Sequence, residues 1–128
     1  MKKIVLLFMM VFISMMATSC YYDEVPYEAP VGPLPETVSY KTDIQPLWEE
    51  NCIGCHKTGA TKPDLTSANS YAALTTANKY VVPSDAASSL LYKSLIGEGA
   101  QPMPTNGKLS ASKIALVEKW INDGAKNN

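Results

Sequence analysis

The sequence predicts a small all-α domain set behind an export leader and an extended spacer. Three observations carry this prediction. Apolar residues recur at helical spacing around Trp48 and again around Trp120; no stretch alternates apolar and polar residues as a strand would; and the first forty residues divide into an apolar run and a proline-rich stretch. A chain of 128 residues has room for one domain.

The leader comes first. Lys2 and Lys3 precede the apolar run 4–13, which is short for a bilayer span and ends in the small residues Ala17, Thr18 and Ser19. Small residues abutting Cys20 resemble the lipobox of bacterial lipoproteins, with Ala17 standing where leucine is usual. That resemblance implies cleavage after residue 19 and lipidation of Cys20; the alternative is an ordinary cleaved signal with an incidental cysteine. Loss of Lys2 and Lys3 leaves 9 Lys against 12 acids, a net charge of −3, and the chain has no arginine. Such a chain has no basic footprint for nucleic acid. With the leader gone the core must be small, so something should supplement it.

Residues 20–39 form the second segment. Pro26, Pro30, Pro33 and Pro35 alternate there with Asp23, Glu24, Glu28 and Glu36, and no apolar period survives. The segment reads as a solvated tether, reaching on the order of 50 Å at about 3.1 Å per residue.

The domain itself is expected over residues 40–128. Thr42 is a candidate N-cap for a helix over 43–51, with Pro46 in its first turn and Ile44, Leu47 and Trp48 on one face. A short helix is expected over 70–76. Another is expected after Asp85 as N-cap, carrying Leu90, Leu91 and Leu95 until Gly97 stops it. The last is the clearest. Ser110 or Ser112 caps a helix with Ile114, Val117, Trp120 and Ile121 at 3.6-residue spacing, and Gly124 falls at C′.

The chemistry lies in Cys52-Ile53-Gly54-Cys55-His56, which has the spacing of a c-type haem attachment site. Two thiols on one turn can add to the two vinyl groups of one haem, and the next residue then projects its imidazole toward the iron from the same side. A redox dithiol or half of a zinc site would share the spacing. Zinc needs further ligands, yet His56 is the only histidine and Cys20 the only other cysteine; a thioredoxin-type dithiol wants a βαβ context, which is missing. One covalent haem c is therefore the expected cofactor.

A second axial ligand follows by elimination. Five of the six methionines lie in the leader, leaving Met103 as the only thioether beyond it, between Pro102 and Pro104. Prolines on both sides restrict the loop, and a weak ligand held in place before it binds loses less entropy on coordination. Met103 as a loop or core filler, lysine ligation and an open iron position are the alternatives.

From residue 40 to about 125 the chain resembles class I cytochrome c, and more narrowly the bacterial domain described as planctomycete-type. The resemblance rests on the haem motif and on short segments in a fixed order: Ile44-Gln45-Pro46-Leu47-Trp48, Ser89-Leu90-Leu91-Tyr92, Met103-Pro104, Gly107-Lys108-Leu109 and Trp120-Ile121-Asn122-Asp123-Gly124-Ala125. Thr105 departs from it, standing where a second proline commonly follows the methionine. The resemblance implies a cytochrome c-like fold of about four short helices around one covalently bound haem, the first and last helices crossing. It implies a packing contact of Trp48 with Trp120 at that crossing, and a crevice between His56 and Met103. Pro63-Asp64-Leu65 resembles the family's proline-x-leucine segment, which implies that the Pro63 carbonyl accepts the Nδ1 proton of His56. The haem carboxylates would be met by Lys, Tyr, Trp or backbone N–H groups.

An iron closed by His56 and Met103 leaves no position for a small-molecule substrate, so the expected function is one-electron transfer between redox protein partners in the membrane or periplasm, not enzymatic turnover. The expected setting is outside the cytoplasm, anchored to a bacterial membrane by the lipid at Cys20 and facing the periplasm or cell surface. Two other classes stay open: an open-site haem peroxidase or gas sensor, and a haem-carrying subunit of a larger membrane complex.

Overall fold

A computed structural model describes residues 32–128; the leader, Cys20 and the tether up to residue 31 lie outside the described residues. Residues 32–37 are exposed without regular structure, and packing begins at Val38. Four α-helices follow, α1 (Gln45–Asn51), α2 (Ser70–Thr75), α3 (Leu90–Ile96) and α4 (Ala111–Asn122), with no β-strand among the described residues. None of these helices is long and apolar enough to cross a membrane.

The first element starts earlier than its sequence suggests. A π-helical turn, Tyr40–Ile44, precedes α1, and Ser39 rather than Thr42 caps it. The Thr42 amide donates to Ser39 Oγ at 3.4 Å, and the Ser39 amide donates back to Asp43 Oδ2 at 2.7 Å. The reason for the wide turn is Pro46. Lacking an N–H, it cannot continue the bonding ladder, and the backbone shifts register ahead of it, with Ile44 N donating to Ser39 O and Gln45 N to Tyr40 O. The free amides at this helix start are met from the far end of the chain: Tyr40 N donates to Asn128 Oδ1 at 2.9 Å and Lys41 N to Asn128 O at 3.0 Å.

α2 and α3 are short for local reasons. After α2 the backbone turns left-handed at Ala77 and Asn78, which brings Val81 N back to Leu74 O at 3.1 Å. Asp85 does not cap α3; its carboxylate accepts from Ser88 N in a separate turn, and Ser89 takes the cap position. The Ser89 hydroxyl accepts from Val82 N and donates to Asp85 O, both at 2.8 Å, which holds the preceding residues off the helix. Gly97, at φ 77°, ends α3.

α4 keeps the expected signals. Ser110, not Ser112, is its cap. Gly124 N donates to Ile121 O and Ala125 N to Trp120 O, the paired bonds of a Schellman ending that needs the positive φ of 98° at Gly124. Ile114, Val117, Trp120 and Ile121 are all buried on one face. That face meets the π-helical turn and α3.

The aromatic contact at the crossing is Tyr40 against Trp120, with ring centroids 5.1 Å apart, and Tyr71 stands edge-on to Tyr40 at 5.2 Å. Trp48 and Trp120 are both buried in the same core cluster, and the π turn brings Tyr40 against Trp120 as well. The Tyr40 hydroxyl, its pKa raised by burial, donates to Ser70 Oγ, which donates in turn to Gln45 Oε1. Trp48 Nε1 sits beside that hydroxyl and makes no hydrogen bond. At the other end of the crossing Lys113 pairs with Glu50 at 2.7 Å, holding the Glu50 carboxyl below its usual range. The π turn therefore packs against the end of α4, and the end of α1 is bridged to the start of α4 through Glu50 and Lys113.

Candidate functional site

The end of α1 makes the site's first wall. Cys52 N and Ile53 N both donate to Trp48 O, and Cys55 N and His56 N both donate to Cys52 O. The chain thus leaves the helix in a tight turn that carries both thiols and the imidazole. Neither cysteine is in a disulfide. Cys55 is exposed, whereas burial pushes the half-buried Cys52 thiol up to about 11. Gly54 lies between them with open space where a Cβ would sit.

A strap made by residues 63–65 brackets His56. The imidazole Nδ1 lies 3.2 Å from Pro63 O, and Leu65 N donates to His56 O at 2.9 Å. A carbonyl can only accept, so Nδ1 carries a proton, and in the neutral imidazole that leaves the lone pair on Nε2. That is the tautomer in which a histidine can ligate a metal through Nε2, with the Nδ1 bond fixing the ring. The strap is itself tied down: Leu65 O accepts from the buried Gln45 amide at 3.2 Å, and Leu65 packs into the core.

Met103 comes from the segment between α3 and α4. Its amide donates to Ser94 O at 3.0 Å, which clips the loop to the end of α3. The side chain is half-buried, and the flanking residues 101, 102 and 105–108 are exposed.

Cys52, Cys55, His56, Pro63 and Met103 all line one crevice of about 480 Å³. This lies within the roughly 300–1,000 Å³ typical of small-molecule and cofactor sites. Leu65, Leu74, Leu90, Leu91 and Leu95 form its apolar walls. Leu90 is one of two large apolar side chains that remain exposed among the described residues, and it stands on this wall, where a bound apolar group would cover it. Among the lining residues Lys62 is the one cation and Glu50 the one carboxylate, the latter already paired with Lys113.

The donor chemistry fits a haem c. Two free thiols on one turn, a histidine with Nε2 available and a thioether share an apolar cavity of cofactor size. A bare metal ion fits less well: among the described residues no three His, Cys, Asp or Glu side chains gather as a cage.

Sequence reasoning missed the polar residues behind the strap. Thr58, Asp64, Thr66 and Asn69 form a closed hydrogen-bonded cluster immediately after the Pro63 carbonyl. A signal was present, since Asp followed two residues later by Thr is the pattern of a side chain bonding its own downstream amide. Gln45 was missed as well, and its partners lie too far along the chain for any local pattern to reveal them.

Neither family models nor curated proteins nor solved structures give a match to this chain.

Proposed function

We propose that this chain is a single-haem c-type cytochrome that carries one electron at a time between redox protein partners, exported and held to a bacterial membrane by a lipid on Cys20. The observation that supports this best is the gathering of the Cys52 and Cys55 thiols, the His56 imidazole and the Met103 thioether around one apolar crevice. A haem c bound there supplies a one-electron ferric/ferrous couple. Cys52 and Cys55 would hold it through thioether bonds, His56 Nε2 and Met103 would take the two axial positions, and Lys62 is the cation available to its carboxylates. The Pro63 carbonyl keeps the His56 proton on Nδ1 and so keeps Nε2 basic. The leucine walls would shield a bound haem from water, and a thioether ligand favours a comparatively high potential.

The test is acid–acetone extraction of one sample and carbon monoxide addition to a separate, native sample of the reduced protein. Haem that stays with the chain and binds carbon monoxide sluggishly is the expected result. Freely extracted haem would rule out thioether attachment, and rapid carbon monoxide binding would rule out a closed iron. The anchor is tested separately: Cys20→Ala should move the protein from the membrane fraction to the soluble exported one.

A further inference from the structure

The cluster behind the strap has no part in binding the crevice's occupant, yet it is the most completely satisfied polar group in the domain. Asp64 as a residue is only 5% exposed. Its Oδ1 accepts from Thr66 N at 3.1 Å and from Thr66 Oγ1 at 2.6 Å; its Oδ2 accepts from Thr58 Oγ1 at 2.6 Å and from Asn69 Nδ2 at 2.9 Å. Two bonds to each oxygen use all the acceptor positions a carboxylate has. The donors come from three places: Thr58 just after the haem motif, Thr66 at the far end of the strap, and Asn69 at the start of α2. Asp64 therefore closes the loop 57–66 on itself and ties it to a helix.

We propose that Asp64 is a positioning residue for His56, fixing the Pro63 carbonyl that in turn holds the imidazole. The inference rests on His56 being an axial ligand, as proposed above. Asp64 and Pro63 share a peptide bond, so the direction of the Pro63 carbonyl cannot change without moving the Asp64 backbone. Among the described residues the 3.2 Å contact to Nδ1 is the only side-chain hydrogen bond of His56. Leu65 is fixed on the other side by His56 O and by Gln45. With Leu65 pinned, the Asp64 cluster is what decides how the upstream part of the strap lies over the ring. A hydrogen bond to Nδ1 raises the basicity of a ligating imidazole, so loosening the strap should make His56 a poorer donor to ferric iron and raise the potential.

Asp64→Asn alone would confuse position with charge, because deleting a negative charge near the iron also raises the potential. Thr58→Val and Asn69→Ala avoid this, for each removes a donor and leaves the carboxylate charged. In the purified holoprotein we expect the double variant to keep covalent haem. We expect its His56 Nδ1 proton, followed by NMR, to exchange with solvent roughly tenfold faster than wild type, the lower end of second-shell effects at metal sites. Its midpoint potential should move up. If the double variant fails to assemble, Thr58→Val alone carries the measurement, with the same direction and a smaller shift. A holoprotein with faster unfolding but wild-type proton exchange and potential would overturn the proposal and leave Asp64 a loop-stability residue. A wild-type protein with no covalent haem would instead overturn the cytochrome reading on which it stands.

Discussion

The two sides of the crevice are built to different standards. On the His56 side, the strap 63–65 is fixed by His56 O, by Gln45 and by the saturated Asp64 carboxylate. On the Met103 side, one backbone bond to Ser94 and a weak turn from Gly107 N to Pro104 O at 3.4 Å do most of the polar work, in a loop that is largely exposed. The prolines at 102 and 104 limit that loop's freedom without anchoring it. Under the proposed function the strong nitrogen ligand would sit in the rigid half and the weak thioether in the compliant one. Local opening should therefore begin at Met103 and leave the His56 side intact, since low-stability openings arise where backbone bonds are few and exposed.

The largest effect expected comes from removing what joins the cofactor to the rigid side. Cys52→Ser with Cys55→Ser should abolish covalent haem and leave a poorly folded chain, because so small a domain otherwise surrounds an unfilled apolar crevice. Haem staining after denaturing electrophoresis and circular dichroism check both parts. Next is Gln45→Ala, which strips the buried partner of Leu65 O and Ser70 and should cost about 1–3 kcal/mol in denaturant unfolding. Met103→Ala should cost the helical frame less, about 1 kcal/mol for a half-exposed side chain, while lowering the potential and opening the iron to carbon monoxide. A frame more sensitive at Met103 than at Gln45 would break the comparison.

Acid offers a way to sharpen it. Hydrogen bonds from Thr58, then Thr66 and Asn69, hold the Asp64 carboxyl well below the usual carboxylate range. A depressed folded-state pKa adds stability above the unfolded value near 3.9 and loses it as pH falls toward the folded one. Wild type should therefore exceed Asp64→Asn in melting temperature at pH 7, and the gap should shrink below about pH 4. The smallest effect belongs to Lys113→Ala, outside both halves. Its partly exposed pair with Glu50 should be worth no more than about 1 kcal/mol, less at high salt.

How much of this was legible in the sequence follows from the range of each interaction. The α4 helix was legible because its cap, its apolar stripe and its glycine stop are all local, and Ser110 and Gly124 take the roles their types suggest. The grouping of Cys52, Cys55 and His56 was legible because one turn sets its spacing. The start of α1 was not, because the loss of the Pro46 N–H is met by a wider turn upstream rather than by a later start. Asp85 misled for a related reason. It is a good cap, but the Ser89 hydroxyl bound to Val82 and Asp85 moves the start of α3 downstream. The contact of Tyr40 with Trp120 and the reach of Gln45 to Leu65 and Ser70 depend on the tertiary fold, and no periodicity encodes them.

The central claim is that one thioether-bound haem sits between His56 and Met103, and absorption spectra of the purified protein, oxidised and then reduced, test it most directly. The expected result is a low-spin c-type spectrum on reduction, together with a weak red band in the oxidised protein that disappears in Met103→Ala. A protein without haem absorption, or one whose oxidised spectrum is high-spin and unchanged by Met103→Ala, would contradict the account.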